Sequence, residues 1–326
     1  MDSHNKIVGM KSFILTALGT MALLPSVHAA KITETDTLAA SIKESADNRS
    51  LTTYIPPALS LERKSLRIIN MQGAVGLPKG EWELFIQHRF GTFGSGAYNW
   101  YGLDQSYMRI GLDAGLSDRL TVGISRSSMN KIADAYFKYQ IKGKAKQSDK
   151  IAQSENKSEV TASWYSNVSV NTQLRGNISP EPFYFSNRLR FVNTLIISKN
   201  INDRLLLAVT PSFVHVNLVD LATESNDIAV MGAYGRMKFS DRYAVTAEIQ
   251  KPFLSSMPSP SGAMKTVNIP ANPYMALGFE IYTAKHVFQL SVSNAQSMNE
   301  SFYMTQENGS FQTSNLRFGF NIVRRW

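Results

Sequence analysis

The side chains able to do covalent chemistry are few. The 326 residues hold five histidines and no cysteine, which removes thiolate nucleophiles, disulfides and thiolate metal sites from consideration. His4 and His28 fall in the N-terminal apolar region, leaving His88, His215 and His286. A nucleophilic mechanism needs a hydroxyl, a base and an orienting group within reach of one another. Ser212 or Asn217 beside His215 is the nearest the sequence comes to that, in the manner of a membrane-embedded lipid hydrolase. Three scattered histidines form no ligand cluster. His88 and His215 instead occupy the apolar parity near the ends of strand-like segments, where a ring closes an aromatic girdle. "GTFGSG" (91–96) is rich in glycine, but no helix follows to present phosphate-binding amides. We therefore expect no enzyme, no metal and no cofactor.

What remains is charge arranged by parity. Glu83, Arg89, Arg109, Asp113, Lys138, Arg188, Arg190, Arg236, Lys238, Glu248, Glu280 and Arg317 fall on the polar side of alternating segments. Asp134, Glu159 and Arg325 share that side. Rings of charge set ion selectivity in pores, and the basic excess among these positions would favour anions slightly. Interleaved signs would also close a narrow lumen by mutual pairing, so both readings stay open.

The elements that carry these residues repeat from Glu81 to the end. Each runs about ten to thirteen residues and alternates apolar with polar, the mark of a strand with two unlike faces. Twelve such segments can be counted. "LSDR" (116–119), "INDR" (201–204), "SDR" (240–242) and "TAKH" (283–286) make tight turns, whereas 91–104, 171–185, 218–226, 251–272 and 295–312 are longer. An even strand count, short turns on one rim and long loops on the other describe a bacterial outer-membrane barrel. The short "RSSMNK" (126–131) and the long basic insert 142–157 depart from that alternation. A secreted β-sandwich also alternates, but its strands and loops lack this regularity. The fold expected is an all-β, transmembrane, antiparallel up-and-down barrel.

Ahead of it, residues 1–29 read as an export signal, with "SFILTALGTMALL" (12–24) as its apolar core. After it no run approaches the eighteen apolar residues of a spanning helix. Residues 30–79 read as a periplasmic segment, polar and interrupted by Pro56-Pro57. Within it "SLRIINMQGAVGLPKG" (65–80) is more apolar, either a short extra strand or a piece tucked into the barrel mouth. The barrel then occupies 80–326. A net charge of +9 suits anionic headgroups without naming a partner; the basic insert is read as a solvated loop and not as a nucleic-acid site.

"RIIN" (67–70), "LPKGEWELFIQHRFGTF" (77–93), "GLDQSYMRIGLDAGLSDRLTVGISRSS" (102–128), "FVHVNL" (213–218), "KHVFQLSVSNAQSM" (285–298) and "FGFNIVR" (318–324) resemble a family of bacterial outer-membrane β-barrels known only as a domain of unknown function. The resemblance spans residue 65 to the end and implies a barrel fold in the outer membrane, with no substrate attached. In the last strand Phe318, Phe320 and Trp326 share the lipid-facing parity. They should anchor the barrel at the interface and resemble the terminal signal read by the barrel-assembly machinery, which with outer-membrane lipid is an expected partner. The leading function expected is a channel or facilitator for a small polar solute. The alternative is a non-conducting structural or docking barrel for a periplasmic protein, and a membrane-embedded lipid hydrolase ranks third.

Overall fold

Alternation along the chain becomes a wall with two chemistries. In the computed structural model the described residues are 65–143, 160–174, 184–219, 226–254, 272–306 and 308–326. The chain divides into Met1–Tyr54 and Ile55–Trp326. The first part, with the expected signal and most of the polar lead, lies outside the described residues. So do residues 144–159, which include most of the basic insert, and 255–271 of the long loop.

Twelve strands follow in chain order: β1 (Trp82–Thr92), β2 (Ser106–Ser117), β3 (Leu120–Ser127), β4 (Ile132–Lys142), β5 (Val160–Asn171), β6 (Leu189–Asn200), β7 (Leu205–Val216), β8 (Asp227–Lys238), β9 (Tyr243–Leu254), β10 (Tyr274–Tyr282), β11 (His286–Ser293) and β12 (Arg317–Arg325). Each pairs antiparallel with its sequence neighbour, and β12 returns to β1 to close the barrel. Closure leaves no strand edge unpaired, which is the condition for crossing lipid with strands. The closing register sets Glu83 opposite Arg325 and Gln87 opposite Asn321. Among the described residues one short α-helix, α1 (Glu300–Tyr303), lies between β11 and β12.

The faces segregate as the period of two requires. In β1, Glu83, Phe85, Gln87 and Arg89 point inward and are buried, while Trp82 points out to the lipid side. Ile110, Leu112, Ile124, Phe137, Trp164, Leu207 and Val209 form part of that exposed apolar band. At the seam the Trp326 ring stacks on Trp82, with centroids 4.4 Å apart and planes 14° from parallel. The two residues also exchange backbone hydrogen bonds of 3.0 and 3.2 Å, and the Arg324 guanidinium stands 4.8 Å over the Trp326 ring. Farther along the seam His88 stacks on Phe320 at 5.0 Å and Phe90 on Phe318 at 5.9 Å. Aromatic and basic groups of this kind sit comfortably at a lipid–water boundary.

Candidate functional site in the lumen

A barrel of this size lined with charge would be an aqueous pore if nothing entered it. Among the described residues, two inserts fill it. The first is the segment just before β1. Arg67 and Gln72 form an antiparallel bridge, the Ile68 amide bonds the Met71 carbonyl at 2.9 Å, and the Gly73 amide bonds the Leu66 carbonyl at 2.7 Å. These contacts fold 66–73 into a tight hairpin with Ile69 and Asn70 at its tip. Leu66, Ile68, Ile69, Met71, Ala74 and Leu77 are all buried. The outgoing limb reaches the rim of short turns, where Gly80 donates to the Gly115 carbonyl at 2.9 Å.

The wall holds this hairpin mainly by its backbone. The Glu248 carboxylate accepts from three consecutive amides, Ile69 at 2.6 Å, Asn70 at 3.1 Å and Met71 at 2.9 Å, and the Tyr274 hydroxyl donates to it at 2.6 Å. The Ile69 carbonyl accepts from Gln87 at 3.0 Å and from Asn321 at 2.9 Å. Lys138 donates to the Gly73 carbonyl at 3.0 Å, and the Leu77 amide donates to Thr121 at 2.8 Å. A buried turn must satisfy its amides somewhere, and a carboxylate at its tip does this with charge-assisted bonds.

One side chain of the hairpin answers in kind. Arg67 pairs with Asp113 at 2.6 Å, both fully buried, and its guanidinium lies 3.6 Å from the centre of the Phe85 ring. Burial opposes the Arg67 charge, and the Asp113 carboxylate beside it compensates with a direct ion pair. Asp113 also accepts from the Tyr136 hydroxyl at 2.6 Å.

Inward-facing glycines make the room. A Cβ at Gly278 would stand 2.9 Å from Ile69 Cδ1, one at Gly232 would stand 3.0 Å from Met71 Cε, and one at Gly115 only 2.0 Å from the Pro78 carbonyl oxygen. Gly278→Val should therefore crowd the hairpin tip out of its seat. The expected result is protease cleavage within 65–77 while the barrel keeps its heat-modifiable migration on gels. A hairpin as protected as in the wild type would contradict the fit.

The second insert is the connection from β11 to β12, expected from the sequence to be a long outer loop. Instead it folds into the opposite mouth, burying Ala295, Met298, Phe302, Tyr303 and Met304. Asn299 caps α1 by accepting from the Ser301 amide at 3.1 Å, as Asn does readily. Arg109 is its latch: it donates to the Met298 carbonyl at 2.6 Å and to Ser125 at 2.8 Å, and pairs with Asp134 at 2.9 Å. Tyr303 packs its ring 4.5 Å from Tyr274. The two inserts touch where the Asn70 side-chain Nδ2 donates to the Ser297 carbonyl at 3.5 Å.

The charged positions thus take different stations. Glu83, Arg89, Arg109, Asp113, Lys138, Arg236, Glu248 and Glu280 are buried in the lumen. Glu83 pairs with Arg325 at 2.7 Å and Arg236 with Glu280 at 2.9 Å, while Arg89 donates to Asn70 at 2.6 Å. Arg188, Arg190, Lys238 and Arg317 lie nearer the ends. Arg188 belongs to the turn before β6 and donates to the Asn171 and Gln173 carbonyls. Lys238, the last residue of β8, pairs with Asp241 in the following turn. Arg317 opens β12 and donates to the Asn294 and Asn315 carbonyls. Arg190 lies under the inserted loop, 4.0 Å from the Phe302 ring. In the buried middle, acidic and basic side chains are matched, and the basic excess read from parity belongs to the ends.

His215 bonds Asp227 at 2.7 Å and tilts against Phe191. Its bonded partner is a carboxylate, and among the described residues no serine hydroxyl joins the pair. Residues 65–77, expected with the periplasmic segment, lie inside the barrel. The sequence reading missed the inserted helix, whose buried Phe302, Tyr303 and Met304 ("FYM") were the available signal.

Three solved structures share the fold at low identity. The KdgM porin is 7% identical, with a TM-score of 0.42, covering 74% of this chain and 98% of that one. The COG4313 outer membrane channel from Pseudomonas putida F1 is 12% identical, with a TM-score of 0.42, covering 78% and 98%. The outer membrane phospholipase A from Escherichia coli is 9% identical, with a TM-score of 0.40, covering 81% and 98%. No curated protein matches the sequence. At the level of sequence, the family model described as "Membrane bound beta barrel domain" (DUF5777) matches residues 64–326. The chain therefore belongs to that family of membrane-bound β-barrels, and its closed wall and apolar outer band are those of an outer-membrane barrel.

Proposed function

We propose that this barrel is an outer-membrane channel for a small polar solute, closed at rest by its own N-terminal hairpin. The observation that carries the reading is the Glu248 grip on three hairpin amides. It holds a segment that belongs to no strand of the barrel. Both hairpin limbs lie on the chain side preceding β1, so withdrawal breaks none of the ladders between the twelve strands. The wall behind the hairpin is polar, with Gln87, Thr121, Ser163, Thr210, Gln250 and Gln289 buried against it. Such a surface is suited to water once uncovered, whereas a permanent filling is better served by apolar packing. With short turns in the periplasm, as is general for such barrels, the hairpin opens toward that side.

The filled lumen also favours a second reading, a docking barrel that never conducts. Osmotic swelling of liposomes holding the full-length chain separates the two. The channel reading expects slow swelling in small polyols for the wild type and rapid swelling for Glu248→Ala. Folded Glu248→Ala barrels that admit no solute would overturn it in favour of docking.

A further inference from the structure

Between the hairpin, α1 and the inner wall of β5 to β9 lies a small chamber. Its polar lining is Thr194, which is bonded to Ser212, and six further residues, Gln72, Tyr165, Thr210, Gln250, Glu300 and Tyr303. Each of the six is at most 4% exposed, and each carries a buried polar atom with no hydrogen-bond partner. Gln72 leaves both its amide atoms unmatched and Glu300 both its oxygens. The Arg109 guanidinium, already paired with Asp134, stands 3.3 Å from Glu300, near enough to attract its carboxylate but out of line for a hydrogen bond. Met71, Ile196 and Met304 supply apolar walls.

Native interiors leave few polar groups unmatched, and a cluster of them calls for a missing partner. The room at the centre, about 10 Å³, suits a single water. Gln72 and Met71 belong to the hairpin, so its withdrawal removes one wall and enlarges the chamber. Tyr165, Thr210, Gln250, Glu300 and Tyr303 then remain on the route through the barrel.

Building on the channel reading, we propose that this chamber is the solute-recognition site, and that its solute is small, uncharged and rich in hydroxyl groups. The unmatched groups are phenol and alcohol hydroxyls, amide atoms and a carboxylate that shares the Arg109 guanidinium with Asp134. An anion would be repelled by Glu300 and a cation would have to compete with Arg109 for it, whereas a hydroxyl both donates and accepts and so fits either kind of neighbour. A few placed polar groups within apolar walls are the usual form of a small-molecule site.

The test uses full-length barrels in liposomes, with Glu248→Ala as the opened background, and compares glycerol and sorbitol uptake with potassium chloride conductance. Thr210→Val, Gln250→Leu and Tyr303→Phe remove three unmatched groups at nearly constant volume and are introduced together. Expected is a fall of about fivefold in polyol uptake relative to salt conductance, the scale of losing one or two net hydrogen bonds. Equal effects on both, or none on either, would overturn the site while leaving the channel intact. If the Glu248→Ala background passes neither polyol nor salt, the channel reading itself has failed and the site falls with it. Heat-modifiable migration checks folding, and Thr210→Val alone provides the same comparison if the triple variant does not fold.

Discussion

Replacing Glu248 with alanine releases the tip of the hairpin. Three amides lose a charged acceptor at once, and the Tyr274 hydroxyl loses its partner. A hydrogen bond to a charged group contributes about 1.5–3 kcal/mol. Three acting on one turn do not add fully, so a loss of about 4 kcal/mol is expected. At about 1.4 kcal/mol per factor of ten, the population of displaced hairpin rises on the order of 10³-fold. Amide hydrogen exchange reads this directly: Ile69, Asn70 and Met71 should exchange faster by about that factor, while strand amides of β1 and β12 stay protected. Unchanged protection at the tip would show that burial of Ile68 and Ile69, and not the carboxylate, holds the hairpin.

Arg109→Met should be the most damaging single substitution on the opposite mouth. The guanidinium is fully buried between Asp134 and Glu300 and also bonds the Met298 carbonyl. Methionine of similar length fills much of the space but leaves two buried carboxylates without a cation. Breaking a buried pair in this way costs about 3–5 kcal/mol. Asp134 retains hydrogen bonds from Ser125 and Asn167, which keeps the wall intact and directs the damage to the inserted loop. The expected outcome is urea unfolding in detergent shifted by about that amount, with new protease sites between 294 and 308. A shift below about 1 kcal/mol would mean that packing of Phe302 and Tyr303 seats the loop without the latch.

How far the sequence reads depends on which atoms carry the information. The strands were legible because their faces differ at every second residue. Trp82 against Glu83 and Ile110 against Arg109 need only a period of two to be placed outward and inward. Parity, however, says nothing about height in the barrel. Arg188, Lys238 and Arg317 share the inward parity with Arg109, yet they end at the turns and loops because Arg188 lies just before its strand and the other two stand at the ends of theirs. The hairpin is written in a different medium. It meets the wall mainly through its own backbone amides and carbonyls, which every sequence possesses, so "RIIN" announces apolar burial but not the carboxylate waiting in β9. Its signal lies in the receiving wall, where Gly115, Gly232 and Gly278 leave space on the inward parity. The inserted helix was hidden for a related reason. A long connection on the loop-bearing rim is expected to face solvent, and only the apolar run Phe302–Met304 hints at burial.

The central claim is that residues 65–77 close the lumen until they are displaced. Single-channel recording tests it most directly, with the full-length wild type and Glu248→Ala compared in the same planar bilayer. The account predicts a wild type that is silent or opens briefly, and a variant with frequent, long-lived steps of one size. Long-lived steps of equal size and frequency in both proteins would contradict it, because the lumen would then conduct with the hairpin in place.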